Sequence, residues 1–113
     1  MTDYQRVYCD RQGNPITMQQ ALDRGLFEKD AKRVAEDTVG PYWISTVHLR
    51  IDHGHGRGRP LIFETMVFAK DADPLNLDNW CERYCTEDEA KAGHTVAVAM
   101  VRDGLIESPA MTI

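Results

Sequence analysis

The side chains best suited to chemistry in this chain are collected in one short segment. Asp52, His53 and His55 lie close together in the sequence, and imidazole and carboxylate groups are ligands for divalent transition metals. Two histidines and one carboxylate would leave coordination positions open for catalysis. A third ligand from elsewhere, such as Glu64 or His94, is needed to complete the site. The pattern therefore gives a Zn or Mn site as one interpretation and a solvated polar hairpin loop as the other.

The same segment offers a second kind of chemistry. Glycines alternate with basic residues at its tip, so backbone amides and guanidinium groups could be presented to a phosphate. The residues are Gly54, Gly56, Gly58, Arg57 and Arg59. A phosphate loop of the Gly-x-x-x-x-Gly-Lys-Ser/Thr type opens a helix, whereas this segment leads into a strand. Glycines also allow a long hairpin to reverse direction, which makes anion binding the weaker interpretation.

Two titratable side chains outside the loop complete the candidate site. Glu64 stands among apolar residues of a predicted strand, where partial burial would suit it to act as a general base or to form an ion pair with a partner such as His48, Arg50 or Arg83. His94 falls on the apolar stripe of a predicted helix, where a histidine is usually a core residue bonded to hydroxyl or backbone groups. The candidate ligand-binding residues are Asp52, His53, Glu64, His94 and Arg50, and catalysis would fall to Glu64 and His53.

Size and charge limit the class of protein. A chain of 113 residues with 42% hydrophobic and 27% charged residues suits one globular domain with a single core. The formal net charge of -5 argues against broad nucleic-acid binding, which needs positive potential. No apolar run approaches the roughly 20 residues that span a bilayer. We therefore expect a cytoplasmic protein without membrane contact, with Cys9, Cys81 and Cys85 as reduced thiols.

A hairpin has to position the loop. Runs rich in β-branched and aromatic residues predict the two strands of this hairpin. The preceding segment, 28–39, is ambiguous between helix and strand, and strand is favoured for its second half. In the central strand, the odd-numbered residues from Trp43 to Ile51 are expected to face the core. The predicted strands are 4–9, 33–39, 42–51, 61–69 and 80–85.

Two capping boxes predict where helices begin. A short helix should follow Thr17, because Gln20 stands three residues later, and a long helix should follow Thr86, because Glu89 has the same spacing. The long helix is expected to end near residue 103. Together these elements predict a single α+β domain over 1–113, in which the long C-terminal helix packs on one face of an antiparallel sheet of three to five strands. Residues 105–113 are expected to form a tail.

Several short blocks between residues 10 and 102 together form a recognisable pattern. They are Ile44-Ser-Thr-Val47, Asp52-His53, Pro60-Leu-Ile-Phe-Glu-Thr-Met-Val-Phe68, Arg83-Tyr84, Thr86-Glu87 and Ala92-Gly-His94. This pattern resembles a family of small uncharacterised proteins encoded by bacteriophages and prophages. The resemblance implies a phage or mobile-element setting and brings no assigned activity.

The leading hypothesis is a non-enzymatic phage accessory protein that works without a cofactor in the host cytoplasm. It would bind a host protein or other macromolecule, or a small nucleotide-like ligand, and counter host defence as anti-CRISPR proteins do. One alternative is a small metal-dependent hydrolase or nuclease that uses Asp52, His53 and Glu64 with Zn or Mn. Another is a virion or assembly component that forms homodimers or larger oligomers through an exposed sheet edge.

Overall fold

The computed structural model describes residues 8–54, 58–69 and 80–105. These residues form an α+β fold with a four-stranded antiparallel sheet and two helices, as the sequence predicts, and with a separate two-stranded ladder. The elements in chain order are β1 (Tyr8–Cys9), β2 (Pro15–Ile16), α1 (Met18–Asp23), β3 (Arg33–Val39), β4 (Tyr42–His48), β5 (Phe63–Ala69), β6 (Cys81–Tyr84) and α2 (Glu87–Arg102). No helix among the described residues is long and apolar enough to cross a membrane.

The large sheet is a meander in which each strand pairs with the next one along the chain, in the order β3-β4-β5-β6. The turn between β3 and β4 is the predicted one, and Gly40 adopts a positive φ of 56° there, which glycine tolerates without strain. The second half of 28–39 is a strand, as predicted. Residues 70–79 and most of the expected tail lie outside the described residues.

The hairpin strands are shorter than the sequence predicts. β4 ends at His48 rather than at residue 51, and β5 begins at Phe63 rather than at residue 61. Arg50 has a left-handed φ of 72°, which is incompatible with a regular strand. Its side chain supports this turn, because Nε donates to the Leu26 carbonyl at 2.8 Å and the guanidinium lies over the Phe27 ring. The predicted strand at 4–9 is described only for Tyr8–Cys9.

Helix α2 begins and packs as its sequence predicts. The Thr86 hydroxyl accepts from the Glu89 backbone amide, and the Glu89 carboxylate accepts from the Thr86 amide, which completes the capping box. The helix buries one stripe at helical spacing, formed by Ala90, His94, Ala97 and Val101. Ala97 and Val101 pack on Ile44 of β4 and Val67 of β5, and this cluster holds the helix to the sheet.

The expectation that the odd-numbered residues of the central strand face the core is wrong. The helix covers the even-numbered side of β4, where Ile44, Thr46 and His48 are buried. Polar Thr46 can be buried on that side because its hydroxyl has hydrogen-bond partners from β5 and α2, which removes the cost of dehydration. Trp43 and Val47 therefore lie on the opposite side of the sheet, which neither helix of the described residues covers and which we call the open face.

Local hydrogen bonds stabilise the N-terminal part of the fold. Thr17 and Gln20 form the predicted capping box of α1. The β1-β2 ladder was not predicted, and it is closed by Asp10, whose Oδ1 accepts from the backbone amides of Gln12 and Asn14. Such short side-chain to backbone bonds are typical of Asx turns, and they let two very short strands pair.

Candidate functional site

The Asp52 carboxylate closes the base of the hairpin loop. Its Oδ1 accepts from the backbone amide of Gly54 at 2.7 Å and from that of Leu61 at 3.0 Å. The His53 amide donates to the Leu61 carbonyl at 2.9 Å, which makes a second link across the loop. Asp52 is 6% exposed. Its carboxylate thus has a structural task, which does not require a ligand.

The proposed site residues do not gather at one place. Glu64 lies on the open face, whereas His94 lies under α2 against the other side of the sheet. Arg50 is held by Leu26 and Phe27 at the end of the hairpin. A single site built from Glu64 and His94 is therefore excluded by the sheet between them.

His94 is a hydrogen-bonded core residue, in agreement with the more common role of a histidine on an apolar stripe. Its Nδ1 lies 2.7 Å from the Thr46 hydroxyl, and that hydroxyl lies 2.5 Å from the hydroxyl of Thr65. Its Nε2 lies 2.7 Å from Oδ2 of Asp37 on β3. Both ring nitrogens are thus satisfied, and the chain of bonds links α2 to three strands. Thr46 is fully buried, so its hydroxyl is inaccessible to a substrate.

Tyr84 lies beside this hydrogen-bond network and packs against Gly93 of α2. Its ring and hydroxyl lie so close to Gly93 that a Cβ at that position would overlap them. Burial raises the pKa of the Tyr84 hydroxyl, and the neighbouring Thr65 hydroxyl offsets only part of this effect. The hydroxyl has no hydrogen-bond partner of good geometry among the described residues. The absence of a side chain at Gly93 is what admits the tyrosine.

The open face carries a concavity of about 270 Å³. Its floor is apolar, its upper wall is aromatic, and charged side chains stand at its edges. Trp43 and Phe68 form the wall, with ring centroids 5.2 Å apart and planes inclined by 27°. The lining residues are Lys32, Arg33, Trp43, Ser45, Val47, Glu64, Met66 and Phe68.

Arg33 is the most firmly held cation of this concavity. Its Nη1 donates to the Ser45 hydroxyl at 2.5 Å, and its Nε lies 3.1 Å from the Glu36 carboxylate. The guanidinium carbon lies 5.5 Å from the centre of the Trp43 ring, within cation-π range. Within the described residues these contacts occupy Nη1 and Nε, which leaves Nη2 for an anionic ligand. A cation fixed in this way loses little conformational freedom on binding.

Glu64 stands on the other side of the same concavity. It lies opposite Val47 on one neighbouring strand and opposite Arg83 on the other. Its Oε2 accepts from Arg83 Nε at 2.9 Å and lies 3.5 Å from Cys81 Sγ, so Arg83 is the one of the three predicted partners that forms the ion pair. Glu64 keeps 9% of its surface exposed, toward the concavity that it lines.

The sequence interpretation missed Lys32, Arg33, Trp43 and Ser45 as site residues. The sequence does contain a signal for a second apolar face of the sheet. One long helix can cover only one side of a four-stranded sheet, and β4 has apolar residues at both odd and even positions. The side that the helix leaves uncovered is therefore also apolar. The basic residues of the loop drew attention away from Arg33, which lies at the start of a strand whose assignment was ambiguous.

The metal interpretation stays a prediction. Among the described residues, no three His, Cys, Asp or Glu side chains come close enough together to hold a metal ion. His55, a member of the proposed set, lies outside the described residues, as do Gly56 and Arg57 of the anion-binding interpretation. Comparisons of the chain with protein-family models, with curated proteins and with solved structures found no match.

His48 predicts a pH dependence of stability. Burial, together with the charge of Arg11, lowers the pKa of its imidazole; a hydrogen bond with the Cys9 backbone opposes part of this shift, and Arg50 and Asp10 act more weakly in opposite directions. The unfolded chain then binds the proton more tightly than the folded one, so stability is complete above the unfolded pKa of about 6.5 and declines below it. Urea unfolding between about pH 8 and 5 should show a slope of up to about 1.4 kcal/mol per pH unit.

The control for this prediction is His48→Gln, which removes the titrating group. The slope below about pH 6.5 should be absent in this variant, whatever its overall stability. A slope that persists unchanged in the variant would assign the effect to another group. Asp10, whose pKa is lowered by hydrogen bonds from Asn14 and Gln12 in spite of burial, acts only in the acid range near and below its ordinary value.

Proposed function

We propose that the protein is a non-enzymatic phage accessory protein that binds a small nucleotide-like ligand on the open face of its sheet. The observation that carries this proposal is the concavity of about 270 Å³, which combines an aromatic wall, an apolar floor and a fixed guanidinium group. Small-molecule sites are typically concave, mostly apolar, and supplied with a few well-placed polar groups.

The chemistry of the lining supports a ligand with a planar ring and an anionic group. Val47 and Met66 provide a flat apolar floor, and Trp43 provides an aromatic side wall against which a ring can pack. Lys32 and Arg33 stand together at the β3 side, where they would pair with a phosphate. A nucleotide joins both properties in one molecule, whereas a long nucleic acid would be repelled by the net charge of -5.

In the phage setting that the sequence resemblance implies, such a protein would act by sequestration in the host cytoplasm. A tight binder lowers the free concentration of a nucleotide without changing it chemically, and a host defence that depends on that nucleotide would be weakened. A host macromolecule is the other occupant in keeping with the hypothesis. It would need a larger contact area than this concavity offers, since specific protein interfaces bury about 800 Å² on each partner.

The test is calorimetric titration with nucleoside monophosphates, using Arg33→Gln as the variant. We expect the wild-type chain to bind at least one of them with a dissociation constant below about 1 mM, and the variant to bind it about tenfold more weakly, because one charge-assisted hydrogen bond is lost. Arg102→Gln is the matched control, since Arg102 is exposed at the end of α2 and should leave affinity unchanged.

Fluorescence locates the binding. In a Trp80→Phe chain, Trp43 is the remaining tryptophan, and a ligand on the open face should change its emission with the same midpoint as the calorimetric titration. Binding that leaves Trp43 emission unchanged would place the ligand elsewhere. Two results together would contradict a small ligand: the wild-type chain binds no nucleotide, and it captures a host protein that the Arg33→Gln variant does not. The ligand of the open face would then be a host macromolecule.

A further inference from the structure

We infer that the base of the bound nucleotide is guanine and that Glu64 selects it. This inference rests on the proposed function, because it assigns the base in the same concavity. Two groups flank the apolar floor: the cations Lys32 and Arg33 on the β3 side, and the Glu64 carboxylate on the β5 side. The phosphate of a nucleotide would be drawn to Lys32 and Arg33, whereas Glu64 is paired with Arg83 and leaves its side of the concavity close to neutral, so the charges place the phosphate on the β3 side and the base toward the carboxylate.

The Glu64 carboxylate has one oxygen available for this task. Both hydrogen bonds that it accepts from described residues fall on Oε2, from Arg83 Nε at 2.9 Å and from Cys81 Sγ at 3.5 Å. These bonds fix the plane of the carboxylate group. They leave Oε1 with its lone pairs for a ligand, since an ionised carboxylate accepts at about four positions. A half-satisfied acceptor that is nine-tenths buried gains more from a hydrogen bond than one in water.

The spacing on the open face suits a purine lying flat. Glu64 and Phe68 are four residues apart on β5 and point to the same side, which separates them by about 13 Å along the strand. Met66 lies between them, and Ser45 lies beside Met66 on β4. A bicyclic base resting on this floor can therefore contact the aromatic wall at one end and the carboxylate at the other.

The hydrogen-bonding character of the carboxylate decides between bases. An ionised carboxylate only accepts, so it favours a base edge that offers donors alone. Guanine presents its N1–H and its exocyclic amino group side by side, and both can converge on Oε1. Adenine presents an amino group next to an unprotonated N1, whose lone pair would face the carboxylate. A site that depends on such a donor rejects analogues lacking it, because the buried acceptor is left unpaired.

The test compares three ligands on the wild-type chain by calorimetry: GMP, IMP and AMP. IMP keeps the N1–H and lacks the exocyclic amino group. We expect GMP to bind at least about tenfold more tightly than AMP, with IMP between them. In Glu64→Gln the side-chain amide can both donate and accept, so the ratio between GMP and AMP should fall to within about threefold. Arg33→Gln should weaken all three ligands alike and keep their order.

Glu82→Gln is the matched control, because Glu82 is exposed on the same side of the sheet as Thr65, away from the concavity. It should preserve both affinity and preference. Equal binding of GMP and AMP by the wild-type chain would overturn the assignment of guanine and leave the proposed nucleotide site standing. Binding of none of the three would overturn the proposed function itself. A preference for GMP that survives Glu64→Gln would remove Glu64 as the selecting group.

Discussion

Replacing Gly93 with alanine is expected to lower the free energy of unfolding by about 3 kcal/mol, since overpacking of a filled interior costs of that order. The added Cβ would overlap the hydroxyl and ring atoms of Tyr84. An aromatic ring cannot bend away, and it is held between α2 and β5, so the helix or the edge strand β6 has to move. Urea unfolding of the two chains at neutral pH measures the difference directly.

The sign of this result distinguishes packing from helix propensity. In an unobstructed helix interior, glycine to alanine is stabilising by about 1 kcal/mol. The neighbouring exposed position provides the control, because Ala92→Gly should cost about 1 kcal/mol through propensity alone. In a chain that also carries the shorter side chain of Tyr84→Leu, the cost of Gly93→Ala should fall below about 1 kcal/mol. Stabilisation by Gly93→Ala alone would contradict the close contact.

Replacing His94 with alanine is expected to cost about 3 kcal/mol, through lost packing and through buried hydroxyls that lose a partner. The imidazole of His94 bonds to both β3 and β4, at 2.7 Å from Asp37 and 2.7 Å from Thr46. Thr95→Ala is the control on the same helix, because Thr95 is exposed and bonded only within α2, and its cost should stay within about 0.5 kcal/mol.

A second variant tests the hydrogen bonds separately from the packing. Thr46→Val keeps the shape of the side chain and removes its hydroxyl, which leaves both His94 Nδ1 and the Thr65 hydroxyl without that partner. We expect a cost of about 2 kcal/mol from this change, because buried polar groups lose their bonds. The double variant with His94→Ala should cost less than the sum of the single changes, since the residues share one network. Strict additivity would show that the bonds contribute little.

Local signals in the sequence predicted the parts of the fold that depend on local interactions. The capping boxes at Thr17 and Thr86 each involve residues three apart, so they can be read without knowing the tertiary structure. The apolar stripe of α2, including His94, follows from helical spacing in the same way. The α+β class, the order of the four strands of the large sheet and the beginnings of both helices were therefore accessible, and all are confirmed.

The faces of the sheet were not accessible, because long-range partners decide them. Thr46 and His48 look like solvent-facing residues in a strand. Thr46 becomes a core residue through Thr65, which is 19 positions away, and through His94, which is 48 positions away. Arg50 likewise ends β4 early because its side chain is held by Leu26, 24 positions away. The concavity lies on the odd-numbered side of β4, which the sequence prediction assigned to the core. Arg33 and Trp43 were therefore overlooked as site residues.

The hydrogen-bond network beneath α2 has a consequence for how the fold opens. It joins Asp37 on β3, His94 of α2, Thr46 on β4 and Thr65 on β5, and its partners are up to 57 positions apart in the sequence. Lifting α2 off the sheet would break the bonds of His94 to β3 and β4 together, so the helix has no route of partial release that costs only one of them. We therefore expect α2 and the strands β3, β4 and β5 to open as one cooperative unit, with similar protection of their amides from hydrogen exchange.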